Sequence, residues 1–258
     1  MPLHYSIAGR ADAAETILLS AGLGGAAGFW APQMEALSSR FRILLFDQRG
    51  TGRNAAPLPE PYSIAAMAED AVEVMDAAGI GQVHVMGHAL GGLVGLELAR
   101  RHPARIGRLV LVNAWAKADR HTERCFEIRL GILRSQGPAA YVAAQPLFLH
   151  TAPYLSENHD RILAEIAHGT AHFQGAENLL RRIAALRAFD ARADLPRITA
   201  PTLVAASRDD LLVPWTASRT LAEGLPRARL WLTAEGGHAF TVEQPAPFNV
   251  AMMEFLTD

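Results

Sequence analysis

Six short apolar runs punctuate the chain: Thr16–Ala21 (TILLSA), Phe41–Asp47 (FRILLFD), Val83–Gly87 (VHVMG), Arg108–Asn113 (RLVLVN), Thr202–Ala206 (TLVAA) and Arg229–Thr233 (RLWLT). Most are nearly continuous rather than alternating. A strand with one wet face alternates apolar and polar residues; a strand covered on both faces has no reason to. Helical patterns fall between the runs. Ser63 is placed to cap a helix through Ala78, with Ile64, Met67, Ala71, Val74 or Met75 on one face. Leu90–Arg101 is apolar on most sides and stops at His102-Pro103. Pro214 suits the first turn of a helix to about Glu223, and a last helix spans about Pro245–Phe255. Strand–helix alternation of this kind predicts an α/β fold with a doubly wound, mostly parallel sheet. His4–Ala8 is read as an added edge strand in a hairpin. Ala116–Pro201 breaks the alternation, with four helical patterns and no clear strand. A loop of that length rarely stays structureless, so residues 116–201 are expected to form a helical lid inserted into a core of 1–115 and 202–258.

Composition removes several classes of function. Half of the 258 residues are hydrophobic and 19% are charged, the reverse of a disordered balance. Lys and Arg total 24 against 26 Asp and Glu, with no long basic run, so no electrostatic footprint for nucleic acid is present. The single cysteine, Cys125, excludes an internal disulfide and a CxxC zinc site. No signal-peptide pattern opens the chain, and no apolar run approaches the roughly 18 residues of a membrane span. The expectation is a cytoplasmic domain without metal or other cofactor.

The strand Val83–Met86 runs into Gly87-His88-Ala89-Leu90-Gly91-Gly92 and then into a helix. This is the strand–turn–helix context of the nucleophile elbow G-x-S-x-G, with Ala89 where the serine would stand. An ordinary glycine-rich turn would look similar in isolation. Two partners follow in order. Asp210 lies in SRDDLLVP, after one strand and before a helix; its neighbour Asp209 competes for the acid role. His238 follows the last strand in EGGH. An oxyanion site can also be located: Gly22-Leu23-Gly24-Gly25 follows the first strand, offering the N–H of Leu23, and the second donor would be the N–H of Leu90. The turn Asp47-Gln48-Arg49-Gly50-Thr51-Gly52 is read as a brace for neighbouring loops.

These motifs, in this order, resemble the α/β-hydrolase superfamily. More closely, the chain resembles the RutD family, pyrimidine-utilization protein D of uracil degradation. SAGLGG (20–25), FDQRGTGRN (46–54), YSIAAMA (62–68), GHALGG (87–92) and DDLLVP (209–214) carry the core of the likeness. HTERCF (121–126), AQPLFL (144–149) and AHFQGAENLLRRIAAL (171–186) carry it through the lid. The resemblance implies an α/β-hydrolase fold and hydrolysis of aminoacrylate or carbamate late in uracil breakdown. It also covers the elbow alanine.

Alanine has no oxygen to attack with, so no acyl-enzyme can form at Ala89, which argues against esterase, lipase and peptidase activity. The smaller side chain leaves room in which a water could sit, oriented or deprotonated by His238 with Asp210 fixing the imidazole tautomer. The alternative reading is a catalytically inactive hydrolase fold that binds a small ligand or a partner; the retained Asp210 and His238 argue against it. Further pocket candidates are Gly22, His88, Trp115, Gln145, Phe173 and Arg182. For Trp30 and Phe240 the core is expected, and for Arg181 and Arg182 a solvated basic face. Cys125 reads as a small buried hydrophobe. The expected partner is a small-molecule substrate, with no nucleic acid and no membrane, and the apolar lid could support a homodimer.

Overall fold

The apolar runs become strands because each can bury both of its faces. Ile17, Leu19, Ile43, Met86, Val110, Val112, Leu203 and Ala205 pack into one apolar cluster. Their neighbours Leu18, Leu44, Val85, Leu109, Leu111 and Val204 pack into another on the opposite face. Side chains alternate across a strand, so two covered faces require an apolar residue at nearly every position.

The computed structural model describes residues 3–258. Among them, β1 (Tyr5–Gly9), β2 (Thr16–Ser20), β3 (Arg42–Phe46), β4 (Val83–His88), β5 (Ile106–Val112), β6 (Thr202–Ser207) and β7 (Ala228–Thr233) form a 7-stranded sheet in the order β1-β3-β2-β4-β5-β6-β7. All neighbouring pairs are parallel except β1 with β3. The edge strand therefore exists, but the expected hairpin does not. β1 skips its sequence neighbour β2 and pairs with β3, Ile7 opposite Leu44.

The sheet is covered by α1 (Ala31–Ser38), α9 (Phe240–Glu243) and α10 (Pro245–Thr257) on one face, and by α2 (Ile64–Ala77), α3 (Leu90–Arg101) and α8 (Trp215–Gly224) on the other. Ser63 caps α2 by accepting from the Ala66 N–H at 3.2 Å. Pro214 stands one place outside α8, as its N-terminal cap, rather than in its first turn. In α3 every residue from Leu90 to Ala99 is buried, which explains why it shows no polar face.

Between β5 and β6 lie α4 (Arg120–Leu149), α5 (Ala152–Glu157), α6 (His159–Ala171) and α7 (Ala176–Ala188). α4 is kinked at Gly137, whose φ of 85° suits glycine, and Pro138 follows it. The segments just before α4 and just after α7 meet in a small antiparallel bridge, Lys117 with Asp190. The Ala191 N–H donates to the Ala116 carbonyl at 2.9 Å.

Candidate active site

The site is assembled at the ends of the parallel strands. β4 ends at His88, and Ala89 makes the turn into α3 with φ 47° and ψ −113°. Few residues other than glycine adopt such a conformation, and it costs on the order of 1–3 kcal/mol. The Ala89 N–H is held by the Val112 carbonyl at 2.8 Å. Close approach explains the flanking glycines. A Cβ on Gly91 would lie 2.1 Å from the Ser20 carbonyl oxygen, and one on Gly87 would lie 2.2 Å from that of Gly91.

His238 and Asp210 meet in this region although 28 residues separate them. His238 Nδ1 lies 2.7 Å from Asp210 Oδ2, and both side chains are buried. Asp210 Oδ1 accepts from the N–H groups of Leu212 (2.8 Å) and Val213 (2.9 Å). The carboxylate thus has three donors, and its orientation is fixed. Because Oδ2 accepts from Nδ1–H, the lone pair of the imidazole falls on Nε2, which has no protein partner among the described residues. Asp209, the rival, faces elsewhere: Oδ1 accepts from Ser207 Oγ at 2.5 Å and from the Gly237 N–H at 2.9 Å. Asp209 steadies the loop that carries the histidine.

Two strand ends clamp His238 from below. Asn113 Nδ2 donates to the His238 carbonyl at 2.7 Å, and His88 Nε2 lies 3.0 Å from the same oxygen. The His88 and His238 rings are 4.6 Å apart, edge to face. Burial pushes the His88 imidazole down to about 3, helped by the nearby His238, while the bond to the His238 carbonyl pulls the other way. His88 is therefore a neutral positioning group. Asn113 was not anticipated; its φ of 48° at the end of β5 is one that asparagine tolerates better than most residues.

The loop after β2 lies beside the elbow. A Cβ on Gly22 would come within 2.9 Å of His88 Nδ1. The N–H groups of Leu23 and Leu90 donate to no protein acceptor among the described residues, Leu90 being the first residue of α3. The insertion grips this loop. Gln174 Nε2 donates to the Leu23 carbonyl at 3.3 Å, and Arg182 Nε to the same oxygen at 3.2 Å. The solvated face expected for Arg182 is corrected: the side chain is fully buried. Its guanidinium also donates to the carbonyls of Gly22 and Arg49, at 3.4 Å each, and to Gln48 Oε1. Burial holds it below the ordinary arginine value, at about 10, against the opposing pull of Tyr62 and Asp70. Arg181, the other half of that expectation, is partly buried and donates to the Leu58 carbonyl.

Of the remaining candidates, Trp115 is buried just beyond β5 with its indole N–H unpartnered. Phe173 packs against Tyr141, ring centroids 6.2 Å apart. The Gln145 side chain is taken up by Arg129 and by the Tyr141 carbonyl. Trp30 and Phe240 lie in the core on the other face of the sheet. Asp47 accepts from the Ala27 and Arg53 N–H groups, and Arg49 bridges Asp70 and Glu73. A cavity of about 550 Å³, lined by Tyr62, Glu97, Arg181 and Phe189 among others, includes none of Ala89, Asp210 or His238. Among the described residues no group of three or more His, Cys, Asp or Glu side chains is placed to hold a metal ion, and no helix is long and apolar enough to cross a membrane.

With this geometry in view, comparison with known proteins is specific. Residues 15–129 match the family model for the alpha/beta hydrolase fold. The chain is 52% identical over 255 residues to the "Putative carbamate hydrolase RutD" of Agrobacterium fabrum, with 98% of each chain covered. It is also 52% identical to the protein of that name from Variovorax paradoxus, covering 99% of this chain and 96% of the relative. Among solved structures, the enol-lactonase from Burkholderia xenovorans LB400 superimposes with a TM-score of 0.90 at 31% identity, covering 99% of this chain and 96% of that one. Full-length similarity at this level extends through the insertion as well as the core, and this chain belongs to the RutD family of α/β hydrolases.

Proposed function

We propose that this protein hydrolyses a small C–N compound of pyrimidine catabolism, carbamate or aminoacrylate, by general acid–base catalysis without a covalent intermediate. The observation that carries the reading is the buried Asp210–His238 pair, 2.7 Å apart, beside an elbow whose residue is alanine. The naming of the Agrobacterium and Variovorax relatives as carbamate hydrolases supports it.

The chemistry needs no attacking side chain. In carbamate a proton goes to nitrogen, the C–N bond breaks, and ammonia and carbon dioxide leave. In aminoacrylate a proton goes to the carbon beside the carboxylate and an iminium forms. Water adds to the iminium carbon as His238 Nε2 takes its proton. Return of a proton to nitrogen releases ammonia, and the remaining hydroxyl loses its proton to leave malonic semialdehyde. The N–H groups of Leu23 and Leu90 receive the oxygen that gains charge. Both substrates break down unaided, so the roughly 10²–10⁴-fold expected of positioned acid–base groups suffices. It would not suffice for an amide.

The single cysteine fits a reducing, cytoplasmic setting. A homodimer through the insertion belongs to the same proposal, supported by exposed Ile128, Leu147 and Leu163 there. The test is ammonia release from freshly generated substrate, measured above the spontaneous rate. Wild-type protein accelerates it and His238→Ala does not. Equal rates for the two would overturn the proposed mechanism.

A further inference from the structure

The insertion holds a second buried guanidinium, and it is not satisfied as Arg182 is. Arg129 on α4 is 4% exposed. Nη2 donates to Tyr141 Oη at 3.1 Å and to Gln145 Oε1. Nε is buried with no partner, and Nη1 has no protein acceptor. No carboxylate pairs with Arg129 among the described residues. Instead its guanidinium carbon lies over three rings, Phe126 at 5.1 Å and Tyr141 and Phe148 at 5.6 Å each. Aromatic faces steady a cation, but they supply neither hydrogen-bond acceptors nor a countercharge. Buried charges are paired as a rule, so this one lacks an anion.

Its place in the fold indicates which anion. His121, Cys125 and Arg129 recur at intervals of four residues and form one stripe along α4. The first two press on the loop of the catalytic acid: His121 Nε2 lies 2.6 Å, and Cys125 Sγ 3.7 Å, from the carbonyl of Leu211, the residue after Asp210. On the other side Tyr141, which shares the guanidinium, packs on Phe173, and the adjacent Gln174 holds the Leu23 carbonyl. Arg129 thus lies one turn from Cys125, which meets the Asp210 loop, and shares Tyr141 with Phe173, next to the Gln174 that holds the loop offering the Leu23 N–H.

We propose that Arg129 binds the carboxylate of the substrate, at the end of the molecule opposite the carbon that meets His238. The inference rests on the proposed function, and it deepens it. His238 and the two backbone amides address the C–N end, and Arg129 addresses a second, anionic end. The preferred substrate class is then a short carboxylic acid whose carboxylate is separate from its reacting carbon.

The test is competition by two near-isosteric probes, propionate and propionamide, against ammonia release by the full-length protein. Wild type is inhibited at least tenfold more tightly by propionate. Arg129→Gln brings the ratio to about one and raises KM for aminoacrylate at least tenfold, with kcat changed less than threefold. Arg129→Lys keeps the preference for the anion, and thermal melts confirm that each variant is folded. A purely structural role would lower the melting temperature without altering the ratio. An active wild type with no preference for propionate, or a folded Arg129→Gln with the wild-type ratio, overturns the inference and leaves the His238 mechanism standing. An inactive wild type that still binds propionate by titration calorimetry, with Arg129→Gln losing that binding, overturns the mechanism and keeps the site.

Discussion

Replacing Asp210 by asparagine changes one atom and reverses one hydrogen bond. The Leu212 and Val213 N–H groups, at 2.8 and 2.9 Å, both require an acceptor, so the amide oxygen takes the place of Oδ1. The amide NH2 then faces His238 Nδ1, where the carboxylate oxygen stood at 2.7 Å. An NH2 group can only donate. Nδ1 must accept, the ring proton moves to Nε2, and the lone pair that would receive a proton from water is lost. On the proposed mechanism this removes most of the acid–base contribution, about 10²–10⁴-fold, or about 2.7–5.4 kcal/mol of barrier. Volume is unchanged, and each hydrogen bond keeps a partner. Stability should fall by only about 1 kcal/mol, which is about 2–4 °C in Tm for a chain of this size. The assay is the initial rate of ammonia release minus the spontaneous rate, with a thermal melt on the same sample. Asp209→Asn is the internal control. Asp209 bonds Ser207 and the Gly237 N–H and does not touch His238, so activity should stay within about tenfold of wild type. A folded Asp210→Asn protein that keeps more than half of the enzyme-dependent rate would refute the reasoning.

Arg182→Leu strips donors from the Gly22, Leu23 and Arg49 carbonyls and from Gln48, all in buried surroundings; a loss of about 3 kcal/mol is expected, with Tm down by about 6–12 °C and kcat reduced because the Leu23 amide loses its brace. Unchanged Tm and kcat together would sink that account. His88, held at about 3 by burial, binds its proton more readily in the unfolded chain, where histidine titrates near 6.5. Its neutral form therefore supports the fold fully above about pH 6.5, and that support is lost as pH falls toward 3, by up to about 1.4 kcal/mol per pH unit. Urea midpoints at pH 7, 5.5 and 4.5 should accordingly fall more steeply for wild type than for His88→Gln, and parallel curves would contradict the assignment. Ala89→Ser restores a hydroxyl at the elbow without raising turnover of the small C–N substrate; a rise of tenfold or more in ammonia release would show that solvent was not the intended attacker.

Much of this architecture is legible in the chain because burial on two faces leaves a local trace. The runs around β2 to β7 needed no tertiary knowledge, whereas the break in α4 at Gly137 emerges only in the fold. Strand order leaves no such trace: nothing in Tyr5–Gly9 tells β3 from β2 as its neighbour, since both present the same branched aliphatic pattern. Arg182 was legible and misread. Leu179, Ile183 and Leu186 define the buried stripe of α7, and position 182 falls on it, but the charge argued for solvent. What buries the guanidinium is a set of carbonyls more than 130 residues upstream, which no window of sequence contains. The same holds for Asn113, whose partner is the carbonyl of His238, 125 residues away. Asp210 and His238 could be named because each sits at a strand end, where this fold brings loops together. The choice between Asp209 and Asp210 turns on which way a single turn faces.

The elbow poses the sharpest question of economy. Ala89 holds a φ of 47° at a cost of about 1–3 kcal/mol, yet carries no reacting atom. The geometry still has a consequence that does not depend on its side chain: it turns the chain so that the Leu90 N–H begins a helix with no internal acceptor. Around it, His88 and Asn113 both fasten the His238 carbonyl, and Gly87 and Gly91 allow backbone contacts that any Cβ would forbid. A pocket that only bound a ligand would require neither a fixed imidazole tautomer nor a pre-aimed amide. Both are required where an oxygen from solvent must be deprotonated at one point while negative charge gathers at another. On the proposed reading the strained turn is retained for that second point, which is why removing the serine leaves a site that can still direct water.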